Sequence, residues 1–383
     1  MSNQTLDELG LADYAQRAET SRGRRHPEPA HAYRNIFQRD RDRIIHSRAF
    51  RRLEYKTQVF VNHEGDHYRT RLTHSIEVSQ IARTVARALN LNEDLIESLA
   101  LSHDLGHTPF GHLGEEVLDV KLAEIGGFNH NRQTLRIVEF LEDRYAEYPG
   151  LNLTWEVREG IAKHSGPIDV DAAPEFREYD PELQPPLESQ LIDLVDEIAY
   201  NHHDIDDGIE AKLLEVEPLA EAIPLFGAPL ARARRDLIGA RERQVQTAAL
   251  RGLIDRLVTD LIVTTGERIR EAGVASLEDV RNAGRPLVGL SEEVAAANRL
   301  LKTYLRENLY SHHQIERMKD KARRILLALY DRYRENPLLL PADSRRRLKT
   351  QTLERTIADY IAGMTDRYAN QDYQRLYDPT FSA

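Results

Sequence analysis

Apolar residues recur at helical spacing through nearly the whole chain, and this pattern limits the fold to packed helices before any single residue is considered. The stripe Leu250, Leu253, Leu257, Leu261 is an ordinary helix core. Helices are predicted over 39–53, 70–89, 92–105, 111–125, 129–146, 154–164 and 187–206, then near 229–272, 290–308, 310–335 and 350–370. One interruption is expected to be extended: Thr57-Gln-Val-Phe-Val61 is β-prone and the turn-like Asn62-His-Glu-Gly-Asp-His67 follows it, which predicts a small β-hairpin. The expected fold class is therefore all-α, a helical core with one small hairpin and a helical C-terminal region. Three parts are expected: a polar arm over 1–33, a core over 34–210, and a helical region over 211–383 packed on that core. The Pro-rich interval 166–186 is expected to be a loop able to cover a cleft.

At 383 residues the chain can bury one large helical core or two smaller ones without staples. It has no cysteine, so disulfides and thiolate metal sites are excluded. There is no N-terminal apolar segment and no run of eighteen apolar residues, so a cytoplasmic protein that does not span a membrane is expected. A net charge of −11 argues against nucleic-acid binding carried by bulk charge. Cations still cluster locally, with Arg34, Arg39, Arg41, Arg43, Arg48, Arg51, Arg52 and Lys56 in one segment. Two readings stay open there: contact with phosphates, or a solvated face with internal ion pairs.

Histidines are crowded as well. Three of the fifteen, His103, His107 and His112, fall within ten residues. Val78, Ile81 and Val85 lie within about 40° of His74 on a helical projection, which puts His74 on the buried face of its helix. His103 falls on the side of Ile96, Leu99 and Ala100. Asp196, Tyr200 and Asp204 recur at i, i+4, i+8 as a polar stripe opposite Leu191, Leu194, Ile198 and Ile205, so that helix can pack on a core and line a cleft. A buried carboxylate is costly unless paired or metal-bound. Two imidazoles and two carboxylates, from His74, His103, Asp104 and Asp196, suit one divalent cation: Mg²⁺, Mn²⁺, Fe²⁺ or Co²⁺ as well as zinc.

With these residues laid out, the chain resembles the HD-domain phosphohydrolases and, within them, the deoxynucleoside triphosphate triphosphohydrolases, the dGTPase-like family. The resemblance covers about residues 34–210. It rests on Asp40-Arg-Asp-Arg-Ile-Ile-His-Ser47, Ala49-Phe-Arg-Arg-Leu53, Lys56-Thr-Gln-Val-Phe60, Arg71-Leu-Thr-His-Ser75, His103-Asp-Leu-Gly-His-Thr-Pro-Phe-Gly-His112 and Asp196-Glu-Ile-Ala-Tyr200. It implies that His74, His103, Asp104 and Asp196 ligate the metal, and that water attacks the α-phosphorus of a deoxynucleoside triphosphate to give deoxynucleoside and inorganic triphosphate. His112 and Glu115 would be the catalytic pair, with His107 beside them. Tyr200 would pack on the deoxyribose where a 2′-hydroxyl would intrude, with Asp204 and Gln58 on the 3′-hydroxyl. Arg71, His130 and Lys163 would meet the rest of the substrate, and His164 would stand beside Lys163.

The chain departs from the family at Glu197, where some relatives have a phosphate-binding lysine; neutralisation is then expected from Arg71, Lys163 or the basic N-terminal helix. By analogy a homo-oligomer, hexamer or tetramer, is expected, with single-stranded DNA as a further partner. Two alternatives remain: a nucleotide monophosphatase or alarmone hydrolase on the same metal site, or a non-catalytic nucleotide- or DNA-sensing oligomer.

Overall fold

The computed structural model describes residues 10–58, 69–166, 168, 170–171 and 174–381. The helices in chain order are α1 (Ile36–Ile45), α2 (Arg48–Arg52), α3 (Arg71–Ala88), α4 (Glu93–Ser102), α5 (His112–Lys121), α6 (His130–Arg136) and α7 (Trp155–Ala162). They continue with α8 (Leu187–Glu210), α9 (Val216–Ala222), α10 (Pro224–Asp236), α11 (Glu242–Glu271), α12 (Leu277–Arg281) and α13 (Glu292–Leu305). The C-terminal set is α14 (His313–Glu335), α15 (Ala342–Arg347), α16 (Leu353–Ala362) and α17 (Asp366–Tyr377). No helix among the described residues is long and apolar enough to cross a membrane.

Local capping explains where the elements break. The helix expected over 39–53 divides because Ser47 caps a new one: its side chain accepts from Phe50, while the Glu142 carboxylate accepts the N–H groups of Arg48 and Ala49 at 3.1 and 2.7 Å. Asn35 and Gln38 close a capping box on α1. The stretch expected over 129–146 becomes α6 and a π-helical turn at Ile137–Leu141. The stretch expected over 229–272 divides into α10 and α11 across Gly239, whose φ of 86° favours glycine.

The small β-hairpin expected over 57–67 is a correction: the described residues form no strand. Thr57 and Thr70 make one isolated antiparallel bridge, and residues 59–68 of that stretch lie outside the described residues. The bridge is carried by the Arg71 N–H, which donates to the Lys56 carbonyl at 3.2 Å, while the Thr57 N–H turns to the Asp366 carboxylate at 2.9 Å.

The chain divides into two compact units. The first comprises Met1–Ser21, Glu77–Ala100 and Glu182–Glu316; the second comprises Arg22–Ile76, Leu101–Pro181 and Arg317–Ala383. In the first, α11 packs on α10 and α8, and α13 packs on α8. Glu188, in the first turn of α8, is fully buried and accepts the backbone N–H groups of Gln16 and Asn92 at 3.1 and 3.0 Å. In the second unit, Val117, Leu118, Leu122 and Phe128 pack with Leu326, Leu329, Tyr330, Ile357 and Ile361, so the last helices complete the core beneath α5.

The C-terminal helices also fix loops. Asp366, at the start of α17, accepts from the backbone of Thr57 and of Phe110, both at 2.9 Å. Phe110 and Gly111 have φ values of 62° and 61°, a conformation that needs outside support for a non-glycine residue.

Two outcomes are expected. Burial pushes the Glu188 carboxyl up from 4.5 to about 7. Its native form therefore holds a proton that the unfolded chain has released between these values, and its contribution to stability falls as pH rises from about 4.5 to 7. Glu188→Gln should flatten that decline in urea titrations at pH 5 and 8, by about 3 kcal/mol; an unchanged slope would show that Glu188 is not its source. Asp366→Ala should cost about 1–3 kcal/mol for each orphaned N–H, while Asp366→Asn keeps an acceptor and should cost less. Equal losses in thermal melts would contradict the role given to its oxygens.

Candidate functional site

In the second unit, the start of α3 and the turn after α4 deliver buried polar groups to one carboxylate. His74, His103 and Asp104 each offer a ligand atom within 4.8 Å of the others, and all three are buried. Asp104 is the hub. Its Oδ1 accepts from the Arg71 guanidinium at 2.9 Å and meets His107 Nε2 at 3.1 Å and His103 Nε2 at 3.6 Å, while His74 Nε2 stands 4.0 Å from Oδ2. Burial alone would push the Asp104 carboxyl up, but Arg71, His103 and His107 hold it well below the ordinary carboxylate range. Asp104 is thus an anion inside the protein. Its Oδ2 is buried with no hydrogen-bond partner among the described residues.

That orphaned oxygen is the observation on which the fit of a cation can be judged. A buried acceptor without a donor is costly, and here it sits beside two imidazoles. Two nitrogens and a carboxylate oxygen are a donor set that a divalent cation accepts. The residues present fit the group.

Helix α4 ends at Ser102, earlier than expected, yet His107 still returns to Asp104 because the chain turns tightly, with the His107 N–H on the Asp104 carbonyl. Gly106 makes this possible. A Cβ there would lie 2.1 Å from the His130 carbonyl and 2.4 Å from the Thr134 nitrogen, so only glycine lets the turn press on α6. The approach stacks His107 on His130, with ring centroids 4.2 Å apart and planes at 13°. Burial, the Arg71 charge and His130 hold the His107 imidazole well below its usual value, so it is neutral at pH 7.

A second group, His107, His112 and Glu115, also brings ligand atoms within 4.8 Å. Glu115 is held more closely by His130 than by its helix neighbour. His130 Nδ1 is 2.9 Å from Oε2, and the His130 backbone N–H donates to Oε1 at 3.0 Å, whereas His112 Nδ1 is 3.7 Å from Oε2. Burial would raise the Glu115 carboxyl, but hydrogen bonds from His112 and His130 keep it well below its ordinary value. The His112 side chain is 77% exposed, so it can meet a ligand from solvent. His164 joins the group through ring contacts with His103 and His130 at 5.5 and 6.3 Å, which makes a run of six imidazoles.

The expected phosphate cations of this unit mostly face acids. Lys163 reaches Glu159 at 2.7 Å and the Asp180 carbonyl at 2.9 Å. Arg34 pairs with Asp42 at 2.6 Å, and Arg39 and Arg43 share Glu28. The Gln58 Oε1 is buried without a hydrogen-bond partner among the described residues.

In the first unit, Asp196, Tyr200 and Asp204 lie on α8 as the spacing predicts. A cavity of 380 Å³ opens beside Tyr200, lined also by Asn201, Arg299, Lys302, Thr303, Arg306 and Tyr310. Lys302 pairs with Glu197 at 2.8 Å, and Asn298 donates to the same carboxylate at 2.6 Å. Arg299 and Arg306 have no carboxylate partner among the described residues. The Tyr310 hydroxyl donates to Asp204 from a π-helical turn at Arg306–Tyr310, a widened turn of a kind frequent at functional sites. Burial and Asp204 push the Tyr310 phenol far above its usual range. Sequence reading missed Arg299, Lys302, Arg306 and Tyr310. The signal existed, because 299, 302, 303, 306 and 310 keep helical spacing, but it looks like any solvated face.

The chain is similar to known proteins over nearly its whole length. The model of the HD domain matches residues 71–201, and that of the phosphohydrolase-associated domain matches 288–375. A deoxyguanosinetriphosphate triphosphohydrolase-like protein of Thiobacillus denitrificans is 52% identical over 373 residues, covering 97% of this chain and 98% of the relative. Proteins of the same description from Geobacter sulfurreducens and Bordetella pertussis are each 50% identical, covering 98% and 96% of this chain and 97% and 96% of the relatives. The buried His-Asp cluster, the two matched models and this near-complete similarity establish that the chain belongs to the deoxyguanosinetriphosphate triphosphohydrolase-like family of HD-domain phosphohydrolases.

Proposed function

We propose that this phosphohydrolase cleaves deoxynucleoside triphosphates to deoxynucleoside and inorganic triphosphate, with one divalent cation held by His74, His103 and Asp104. The observation that carries the reading is the buried, ionised Asp104 with an orphaned Oδ2 beside two imidazoles. Asp196 is the fourth ligand in this proposal, on the strength of its place in the sequence pattern. Mg²⁺, Mn²⁺, Fe²⁺ and Co²⁺ all suit such nitrogen and oxygen donors. When bound, the cation supplies charge neutralisation at the phosphoryl oxygens and activation of water.

The side chains do the rest. Arg71 holds Asp104 ionised and turns positive charge toward the reacting phosphate. His107 is neutral and stacked on His130, so it orients a ligand by hydrogen bonding without adding charge. His112, exposed and 3.7 Å from Glu115, protonates the 5′-oxygen as the P–O bond breaks; Glu115 orients the ring. Water becomes the new oxygen on the α-phosphorus, which leaves as part of triphosphate, and its proton replaces the one given up by His112.

The cavity beside Tyr200 supports a nucleotide as substrate, because it joins an aromatic wall to three cationic side chains. In this reading Tyr200 packs on the sugar and excludes a 2′-hydroxyl, Asp204 and Gln58 meet the 3′-hydroxyl, and Arg299 and Arg306 neutralise phosphate where Glu197 does not. Exclusion by a clash needs no added attraction for the deoxy sugar.

Incubation with each deoxynucleoside and ribonucleoside triphosphate, with Mn²⁺ or Mg²⁺ and chromatography of the products, should show deoxynucleoside and triphosphate. Asp104→Asn and Asp196→Asn should each lower turnover by at least about 100-fold and weaken metal retention. Phosphate released from a monophosphate would instead favour the monophosphatase. Tyr200→Ala should narrow the gap between deoxy and ribo rates by roughly tenfold, and an intact gap would remove Tyr200 from sugar selection.

A further inference from the structure

A third ligand group lies within the first unit and plays no part in the proposed reaction. Glu77 on α3 and the adjacent His202 and His203 on α8 bring three ligand atoms within 4.8 Å of one another. Successive residues of an α-helix point about 100° apart, so two neighbouring imidazoles can serve one carboxylate only if it lies over the ridge between them. Glu77 offers a carboxylate oxygen within 4.8 Å of a ring nitrogen of each. Its carboxylate contacts His203, and the rings of His202 and His203 stand edge to face with centroids 5.5 Å apart. An ordinary buried ion pair needs only one imidazole.

Accessibility is graded across the group. His203 is buried at 1%, while the Glu77 side chain is 38% exposed and His202 is half-buried. The buried imidazole anchors one side, and the exposed carboxylate leaves the other open to solvent and to an entering ion. Two neutral imidazoles and one carboxylate carry a charge of −1, and this set leaves at least one tetrahedral position for water.

We propose that Glu77, His202 and His203 form a second divalent-cation site, suited to borderline ions such as Zn²⁺ or Co²⁺. Tetrahedral coordination at about 2.0–2.2 Å requires side-chain rotation that separates the touching Glu77 and His203 groups and spaces all three ligand atoms around the ion. A bound ion would tie α3 to α8 and stabilise the native chain by mass action. The inference is independent of the hydrolase reading, because none of its ligands belongs to the His74, His103 and Asp104 group.

The test is a metal count on the full chain, stripped with chelator and reloaded with Co²⁺ alone. Wild type should take up one more ion per chain than Glu77→Gln or His202→Ala, with a visible absorption band lost in both variants. In an Asp104→Asn background that ion should stay, and adding His202→Ala should remove it. His202 is half-buried, so its variant decides the matter even if Glu77→Gln disturbs the fold. Equal uptake by wild type and both variants, or loss of all Co²⁺ in Asp104→Asn alone, would overturn the proposal.

Discussion

A carboxylate kept ionised inside the protein is the constraint on which the second unit is built. Asp104 is 2% exposed, and an isolated charge at that depth would cost several kcal/mol and would be expected to neutralise by taking a proton. Arg71 prevents this from one side, and His103 and His107 from the other. Each of those groups in turn needs its own support. Arg71 is fixed by the bridge that opens α3, and His107 by the turn that Gly106 lets press against α6. The arrangement leaves Asp104 Oδ2 without a hydrogen-bond partner among the described residues, and this is the oxygen to which the proposed cation is assigned.

The matched C-terminal region acts at a distance from this chemistry through packing and backbone hydrogen bonds. Helices α14 and α16 supply Leu326, Leu329, Tyr330, Ile357 and Ile361 to the apolar cluster under α5, and α17 contributes a single carboxylate that holds Thr57 and Phe110. Lys56 adds to the same brace. Its buried ammonium donates to the carbonyls of His107 and Ala362, and burial draws its pKa down to about 7. A loop at positive φ is thereby kept in one conformation next to His112, which itself stays accessible.

Much of this was legible in the sequence, and for physical reasons. His74 stood out because it interrupts an apolar helix face, and Tyr200 with Asp204 because three polar residues repeat every four; both are patterns of a rigid 3.6-residue period. Helix ends were less legible, since a single Ser47 or Gly239 restarts the chain against the trend of its neighbours. The β-prone Thr57-Gln-Val-Phe-Val61 misled for a similar reason: propensity says that a segment suits a sheet, but Thr57 bonds Asp366, 309 residues away. The Tyr200 cavity was hidden because an arginine that lines a cavity and one that faces open water have the same local sequence. His164 also gains its place among the imidazoles only from tertiary packing.

Crystals soaked in Mn²⁺ and measured at the manganese absorption edge test the central claim most directly. The account predicts an anomalous peak within about 2.3 Å of Asp104 Oδ2 and of one nitrogen each from His74 and His103. Soaked crystals with no peak at Asp104, or with Arg71 or a water molecule filling the space beside Oδ2, would contradict it.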